Sequence, residues 1–409
     1  MKKVLSLILS VVMILGCMTM FAGCGNASDD GFKVGVILIG DENEGYSYAH
    51  IKGIREAIAA NGLSEDQVIW KYTIPENETC SDTIIDLIEQ GCTVIFSNSY
   101  GHQSHMQKAA SENPDVMFVA CTGDTAGVSG LDNFANAFTY VYESRYVSGV
   151  VAGMKIKELV EQGKLTDANY DENGNVKIGY VGAYPYAEVV SGYTAYFLGV
   201  KSVYDKVTMD VSFTNSWFDI TAEGTAAGAL AARGCVVICQ HADSTGAPQT
   251  VQSLNDAGQV VYSVGYNIDM LSVAPTAALT SATNNWGVYY TYAIGAAKNG
   301  EKIATDWAKG YADGAVAITD LGPSCAAGTA EAVAAAEAAL KAGTLHVFDT
   351  TKFTVGGQQI TSCVVDMDGN FQNTDPADKE AVWDGYFHES ELRSAPSFAL
   401  DIDGINKLN

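Results

Sequence analysis

Beyond residue 32 the chain repeats one cycle: a short continuous apolar run, a polar loop, then a stretch with apolar residues at helical spacing. The runs are VGVILI (34–39), VIWKY (68–72), TVIFS (93–97), VMFVAC (116–121), KIGYVGAY (177–184), MDVSFT (209–214), CVVICQ (235–240) and VVYSVGY (260–266). Continuous apolar runs of this length mark strands covered on both faces, and their alternation with helices makes the sheets parallel. Helical spacing is evident over 46–61, where Ile51, Ile54 and Ile58 share a face, at Ile84, Leu87 and Ile88, and over 142–162. Two cycles of about four strands each, on either side of the 142–162 helix, predict an α/β protein of two similar doubly wound, Rossmann-like lobes. A later run, ALTSAT (278–283), is expected to return to the first lobe with the helix that follows it over 286–298. From about 305 come strand-like pieces, an Ala-rich helix over 329–342 and FTVGGQQITSCVVDMDGNF, which reads as a hairpin. The expected division is a first lobe of 33–140 plus about 278–304, a second lobe of 141–277 plus about 305–365, and a peripheral extension over 366–409.

The first 24 residues, MKKVLSLILSVVMILGCMTMFAGC, break this rhythm. Lys2 and Lys3 precede a nearly uncharged apolar run that ends in the small residues Ala22 and Gly23, the layout of a secretory signal. A cysteine directly after such a junction resembles the bacterial lipobox, which implies cleavage of 1–23, lipidation of Cys24 and a short polar tether over 24–32. Ile14-Leu15-Gly16-Cys17 is a poorer second candidate, and a retained membrane anchor is the alternative, since the run approaches the spanning length of about 20 residues. The expectation is a body outside the cytoplasmic membrane, attached to it by lipid alone.

Charge narrows the partners. The 409 residues carry 48 acidic and 23 basic side chains, a formal net charge of −25. Residues 1–23 contribute two lysines and no acid, so their removal leaves −25 − 2 = −27. A surplus of this sign lacks the cationic footprint that nucleic acid or anionic lipid requires. Seven cysteines follow Cys24, an odd number in a chain too large to need disulfide staples. Cys235 and Cys239, four apart in CVVICQ, are expected on one face of a strand as small buried hydrophobes, and with no CxxC present no metal site is expected. His102 and His105 stand at helical spacing without a clustered third ligand and read as a solvated helix face.

In open parallel sheets ligands bind beyond the carboxyl ends of the strands, so the residues after each apolar run are the candidates. They include Asp41 with Tyr46, Asn98 with Tyr100, Thr122 to Asp124, Tyr184 to Tyr186, Trp217 with Phe218, His241 with Asp243, and Tyr266 with Asn267 and Asp269. Nearly every loop pairs an aromatic with a carboxylate or amide, and basic residues are almost absent. Aromatic faces cover a flat ring, while Asp and Asn satisfy ring N–H and exocyclic amine groups that would otherwise be buried unpaired at about 1–3 kcal/mol each. Asp41, Tyr46, Asn98, Tyr100, Tyr186, Trp217, Asp243, Asn267 and Asp269 are therefore candidate contacts to an uncharged planar heterocycle. No Walker loop, dinucleotide fingerprint, G-x-S-x-G elbow or HExxH is present, so neither an enzyme nor a cofactor is expected.

Together these features resemble the basic membrane protein family, the PnrA-like purine nucleoside receptors of ABC importers. The resemblance rests on GDENEGYSYAHIKGIREA (40–57), YESRYVSGVVAGM (142–154), GYVGAYPYAEVVSGYTAYFLGVKSV (179–203), WFDITAEGTAAGALAARGCVVICQHADSTG (217–246), GYNIDM (265–270) and LTSATNNWGVYY (279–290). It implies a type I periplasmic-binding-protein fold, hinge closure on a purine, a monomer, and delivery to a separate permease and ATPase. Two positions depart from the family pattern: Asn267 stands where the nucleoside receptors usually have Asp, and Asn284 where they have Lys. The charged pair expected to hold ribose hydroxyls is thus replaced by amides, which adds Asn284 to the candidates. The replacement favours a free purine base, or another flat heterocycle such as riboflavin, over a nucleoside. A sensor role in place of transport, and a hydrolase on the same architecture, remain alternatives.

Overall fold

The computed structural model describes residues 31–409 apart from 369, 371 and 373–375; the signal segment, Cys24 and the tether up to residue 30 lie outside the described residues. Each apolar run contains a strand, and all but the edge run 68–72 are buried at nearly every strand position. The first lobe holds β1 (Val34–Ile37), α1 (Gly45–Ala60), β2 (Val68–Lys71), α2 (Glu78–Glu89), β3 (Val94–Ser97), α3 (Gln103–Glu112), β4 (Met117–Cys121), α4 (Ala126–Ser129) and β5 (Phe134–Thr139). The second begins with α5 (Val141–Glu161) and continues through β6 (Val176–Gly182), α6 (Ala187–Val203), β7 (Val207–Phe213), α7 (Ile220–Ala232), β8 (Val237–Gln240), α8 (Gly246–Asp256) and β9 (Tyr262–Tyr266). Then come β10 (Ala278–Asn284), α9 (Trp286–Lys298), β11 (Asp306–Lys309), β12 (Val316–Ile318) and α10 (Thr329–Lys341). Short strands β13 (Val364–Val365), β14 (Lys379–Glu380), β15 (Val382–Trp383) and β16 (Tyr386–Phe387) precede the terminal β17 (Ile405–Lys407).

The first sheet has the order β11-β5-β4-β3-β1-β2 and is parallel throughout. The second has the order β12-β10-β9-β8-β6-β7-β17 and is parallel except where β12 runs against β10. In both, the first strand of the lobe lies between its successor and the strand after that: β1 between β2 and β3, β6 between β7 and β8. Strand order therefore reverses at β1/β3 and at β6/β8, opening a crevice at the carboxyl ends of each pair.

The α5–α6 contact that anchors the second lobe depends on absent side chains. A Cβ on Gly149 would lie 2.1 Å from the carbonyl oxygen of Tyr196, and one on Gly199 would lie 2.0 Å from that of Tyr146. Backbone thus packs on backbone, bringing Val147, Val150, Val151 and Ile156 against Ala195, Tyr196 and Val200 in the core.

Several expectations about the later chain are corrected. β10 belongs to the second sheet, not the first: it pairs with β9, Leu279 enters the second lobe's core, and Ser281 lies in register with Gly265, which has no side chain to exclude it. The return to the first lobe comes only after Asn284, where Trp286 at the start of α9 packs over Gly53 of α1. β11, expected in the second lobe, joins the first sheet beside β5, held by Trp307 against Tyr289 of α9 with ring centroids 4.9 Å apart. The extension over 366–409 is not peripheral: β17 forms an edge of the second sheet, and Phe398 and Ile402 are buried in that lobe's core. Nor does the expected hairpin form as one unit, since Val355 bridges Gln358 while β13 pairs with β14. β5 was not among the expected strands, because Asn136 interrupts its apolar run.

Candidate ligand-binding site

A cavity of about 320 Å³ opens where the two reversals in strand order face each other. From the first lobe it is lined by Gly40, Asp41, Glu44 and Tyr46 after β1, by Asn98 to Tyr100 after β3, and by Thr122 after β4. From the second it is lined by Glu188 after β6, Trp217 and Phe218 after β7, His241 and Asp243 after β8, and Tyr266 at the end of β9.

Of the expected contacts, Asp41, Tyr46, Asn98, Tyr100, Trp217 and Asp243 line this cavity. Tyr46 donates its hydroxyl hydrogen bond to the Asn98 carbonyl and stands edge-on to His50, with centroids 4.6 Å apart. Trp217 sits in an aromatic group with Tyr184 at 5.2 Å and Tyr186 at 6.2 Å, and its carbonyl accepts the Asp243 N–H at 2.8 Å. The Asn98 amide is already engaged: Oδ1 accepts from the Ile39 N–H at 2.8 Å, and Nδ2 donates to Ser47 Oγ at 3.1 Å. Each end of the Asn98 amide thus already holds one partner within the wall.

The remaining four are placed elsewhere. Tyr186 borders a neighbouring chamber, its ring 6.0 Å from Tyr100. Asn267 and Asn284 are buried behind the lining; Asn267 Nδ2 donates to Asp243 Oδ1 at 2.8 Å, and Asn284 Nδ2 donates to Asn267 Oδ1 at 3.1 Å. Thr139 completes the relay by donating to Asn284 Oδ1. Asp269 is not brought to the cavity; it is exposed and accepts from the Leu271 N–H two residues on, as an Asx turn.

Four further lining residues carry ionisable groups: His241 and Tyr266, named among the strand-end candidates but not among the expected contacts, and Glu44 and Glu188, which are in neither set. Glu44 is the N-cap of α1, accepting from the Tyr46 and Ser47 N–H groups, a role that an acid one residue before a helix could have signalled. Its pKa is raised by burial, against these hydrogen bonds and with help from Asp41. Burial pushes the Asp243 pKa well above the carboxylate range, reinforced by the Glu44 charge. Burial and the Arg145 charge lower His241 to about 4, so it is neutral near pH 7. With Glu188 Oε1 accepting at 3.1 Å, Nε2 carries the proton and Nδ1 accepts from the Tyr180 hydroxyl at 3.2 Å. One layer below, the fully buried Arg145 places its guanidinium carbon 3.6 Å from the Tyr266 ring centroid and donates to the Gln240 carbonyl at 2.6 Å. Among the described residues no Lys or Arg lines the cavity.

Other expected features come out differently. His102 is buried, not solvated, with Nε2 2.9 Å from the Ile74 carbonyl, while His105 meets Ser81. Cys235 and Cys239 are both buried but pack in different clusters, because the strand starts only at Val237. Away from the cavity, Asp366, Asp368 and Asp378 bring carboxylate oxygens within 4.8 Å of one another, a grouping the sequence reading did not anticipate.

Residues 33–334 match the family described as ABC transporter substrate-binding protein PnrA-like. The chain belongs to this PnrA-like family. It is 32% identical to a purine-binding protein of Brucella abortus over 66% of this chain and 70% of that one. It is 30% identical to a Haloferax volcanii protein named as an ABC transporter glucose-binding protein, over 76% of this chain and 72% of that one. A solved ABC transporter solute-binding protein of Aeropyrum pernix superposes with a TM-score of 0.63 at 15% identity, covering 80% of this chain and 94% of that one. The fold is thus that of the periplasmic solute-binding proteins. As a PnrA-like substrate-binding protein, the chain works outside the cytoplasm, binds a small molecule and serves a permease and an ATPase. Among the described residues no helix is long and apolar enough to cross a membrane.

Proposed function

We propose that this PnrA-like protein is a receptor, lipid-anchored through Cys24, that captures a purine between its lobes and hands it to the importer. The observation that carries the reading is the pairing, in one cavity, of Tyr46 from the first lobe and Trp217 from the second with the buried carboxyl of Asp243. The aromatic rings cover the two faces of a flat heterocycle as the lobes close. Asp243, its pKa raised by burial, can both donate and accept along the ring edge, where a purine alternates N–H groups and ring nitrogens. A lining of carboxylates without cations disfavours phosphates, nucleotides included. The relative named a purine-binding protein supports the same ligand class. Ligand binding favours the closed state by its differential affinity for it.

Native mass spectrometry of the protein purified without added ligand tests the reading. A retained mass matching adenine, guanine or hypoxanthine is the expected result. A retained flavin or hexose, or failure of every purine to bind in calorimetry, would overturn it.

A further inference from the structure

Three stretches of chain pass between the lobes, at Thr139 to Val141, Asn284 to Trp286 and Lys309 to Val316. Covalent crossings of this kind let two lobes rotate about them. The lobes meet in the structure: a Cβ on Gly45 of the first would lie 3.3 Å from Ile268 Cγ1 of the second. A fourth link between them is not a crossing. The C-terminal segment is rooted in the second lobe on both sides of a loop, by Phe387 before it and by Phe398 and Ile402 after it, all in that lobe's core. The buried Glu389 closes the neck of the loop, accepting from Ser397 Oγ at 3.1 Å and from the Phe398 N–H at 2.9 Å. None of this segment lies within the 33–334 match to the family.

The tip of the loop is bound to the first lobe. Ser394 donates from N and Oγ to Asp306 Oδ1 of β11 at 3.0 and 2.9 Å. Arg393 Nη1 lies 3.4 Å from Oδ2 of Asp124, just after β4, in an ion pair whose side chains are 8% and 7% exposed. Ala395 packs between the lobes, in one apolar cluster with Phe138 of the first and Tyr266 and Ala282 of the second. Asp124 is itself a fixed point of the first lobe, since Oδ1 accepts from Gln103 Nε2 at 2.8 Å and Oδ2 from the Tyr100 hydroxyl at 3.2 Å. Burial raises the Asp306 pKa; Ser394 and Arg393 oppose the rise and Asp124 adds to it, so the arginine offsets a repulsion between two first-lobe carboxyls. A buried pair that loses one partner leaves an uncompensated charge, whereas an exposed pair contributes little. Contacts of this kind favour the arrangement of lobes in which they are made.

We infer that the loop 390–397 is a latch: rooted in the second lobe and fastened to Asp124 and Asp306 of the first, it holds the lobes together before any ligand arrives. A larger closed fraction raises the apparent affinity of a ligand that needs the closed state, in proportion to that fraction. The latch acts on the lobes whatever lies between them, so it stands apart from the purine reading.

Small-angle X-ray scattering of the protein freed of co-purified ligand, fitted as a mixture of closed and opened lobes, tests it on the wild type, Arg393→Met, Arg393→Lys and Ser394→Ala. Thermal unfolding checks that each is folded. The wild type is expected to scatter mainly as the closed structure, and Arg393→Met to lower the closed-to-open ratio at least about fivefold. Ser394→Ala lowers it less, because the Ser394 N–H still reaches Asp306, and Arg393→Lys retains part of it by keeping the charge. Lys302→Met removes the same charge from an exposed pair with Asp132 inside the first lobe and should leave the ratio unchanged. A wild type that is mainly open without ligand overturns the latch. So do Arg393→Met and Ser394→Ala proteins that both scatter like the wild type, or a Lys302→Met protein that opens as far as Arg393→Met. Should Arg393→Met fail to fold, the ratios of Ser394→Ala and Arg393→Lys decide by the same criterion.

Discussion

Asn267 Nδ2 donates to Asp243 Oδ1 at 2.8 Å, so the carboxyl that faces the cavity is held from behind by an amide. Asn267 has φ +63°, in the left-handed region that Asn and Asp tolerate better than most residues. Asn267→Asp therefore leaves the backbone acceptable and replaces a donor with a second buried carboxylate. The expected outcome is a loss of about 1–3 kcal/mol of unfolding free energy at pH 8. The loss should shrink toward pH 5, where the carboxyl pair takes up a proton. Urea unfolding at the two pH values measures both, and a pH-independent difference would contradict the pairing.

Trp217 lies partly exposed in the cavity wall with Tyr184 and Tyr186 beside it, so truncation removes ring contact without emptying a core. Trp217→Ala should weaken purine binding roughly 10- to 100-fold, about 1.4–2.7 kcal/mol, with the melting temperature of the free protein little changed. Calorimetric affinity equal to wild type would remove Trp217 from the site.

His241 is 1% exposed, and its folded-state pKa is lowered from 6.5 to about 4. For a depressed histidine the unfolded chain binds the proton first, so the contribution is fully present above pH 6.5 and is lost as pH falls toward 4. The stability difference between wild type and His241→Asn should therefore shift against the wild type by about 3 kcal/mol across that window. Glu143 and Glu223, both raised to about 7, titrate equally in the two proteins and cancel in the comparison. A difference that is flat with pH would show that His241 is not buried neutral.

Gly199→Ala places a methyl group 2.0 Å from the Tyr146 carbonyl oxygen at the α5–α6 crossing. It should cost about 3 kcal/mol, by forcing two backbones apart. Gly228→Ala in α7 is the contrast, since its Cβ would approach nothing closer than Thr250 Cγ2 at 3.7 Å. A gain of about 0.5–1 kcal/mol is expected there from helix propensity. Thermal unfolding of the two variants checks the sign in each.

The strands β1, β3, β4 and β6 to β9 are legible in the sequence because a strand buried on both faces needs an unbroken apolar run. The loops after them are legible as ligand-facing because parallel sheets present their carboxyl ends at one edge. Trp217, Tyr46 and Asp243 were accessible by that route, since position in the cycle places them. Glu188 was not, because nothing local distinguishes a first-turn acid that faces a cavity from one that faces water. The Asn267–Asn284 relay was equally hidden: two amides 17 residues apart can each read as ligand contacts, and only their juxtaposition shows that they satisfy each other.

What the amino-acid sequence determined by itself was local and chemical: alternating strand and helix, aromatic and acidic residues at strand ends, and a scarcity of cations among them. Tertiary structure alone decided which sheet receives β10 and β11, and that the terminal β17 forms an edge of the second sheet. The physical reason is that an apolar strand carries the same hydrogen-bonding groups toward either lobe. Its choice is made by partners far away in sequence, such as Gly265 under Ser281 and Tyr289 under Trp307. Arg393 meets Asp124 by the same kind of long-range packing, 269 positions apart along the chain (393 − 124).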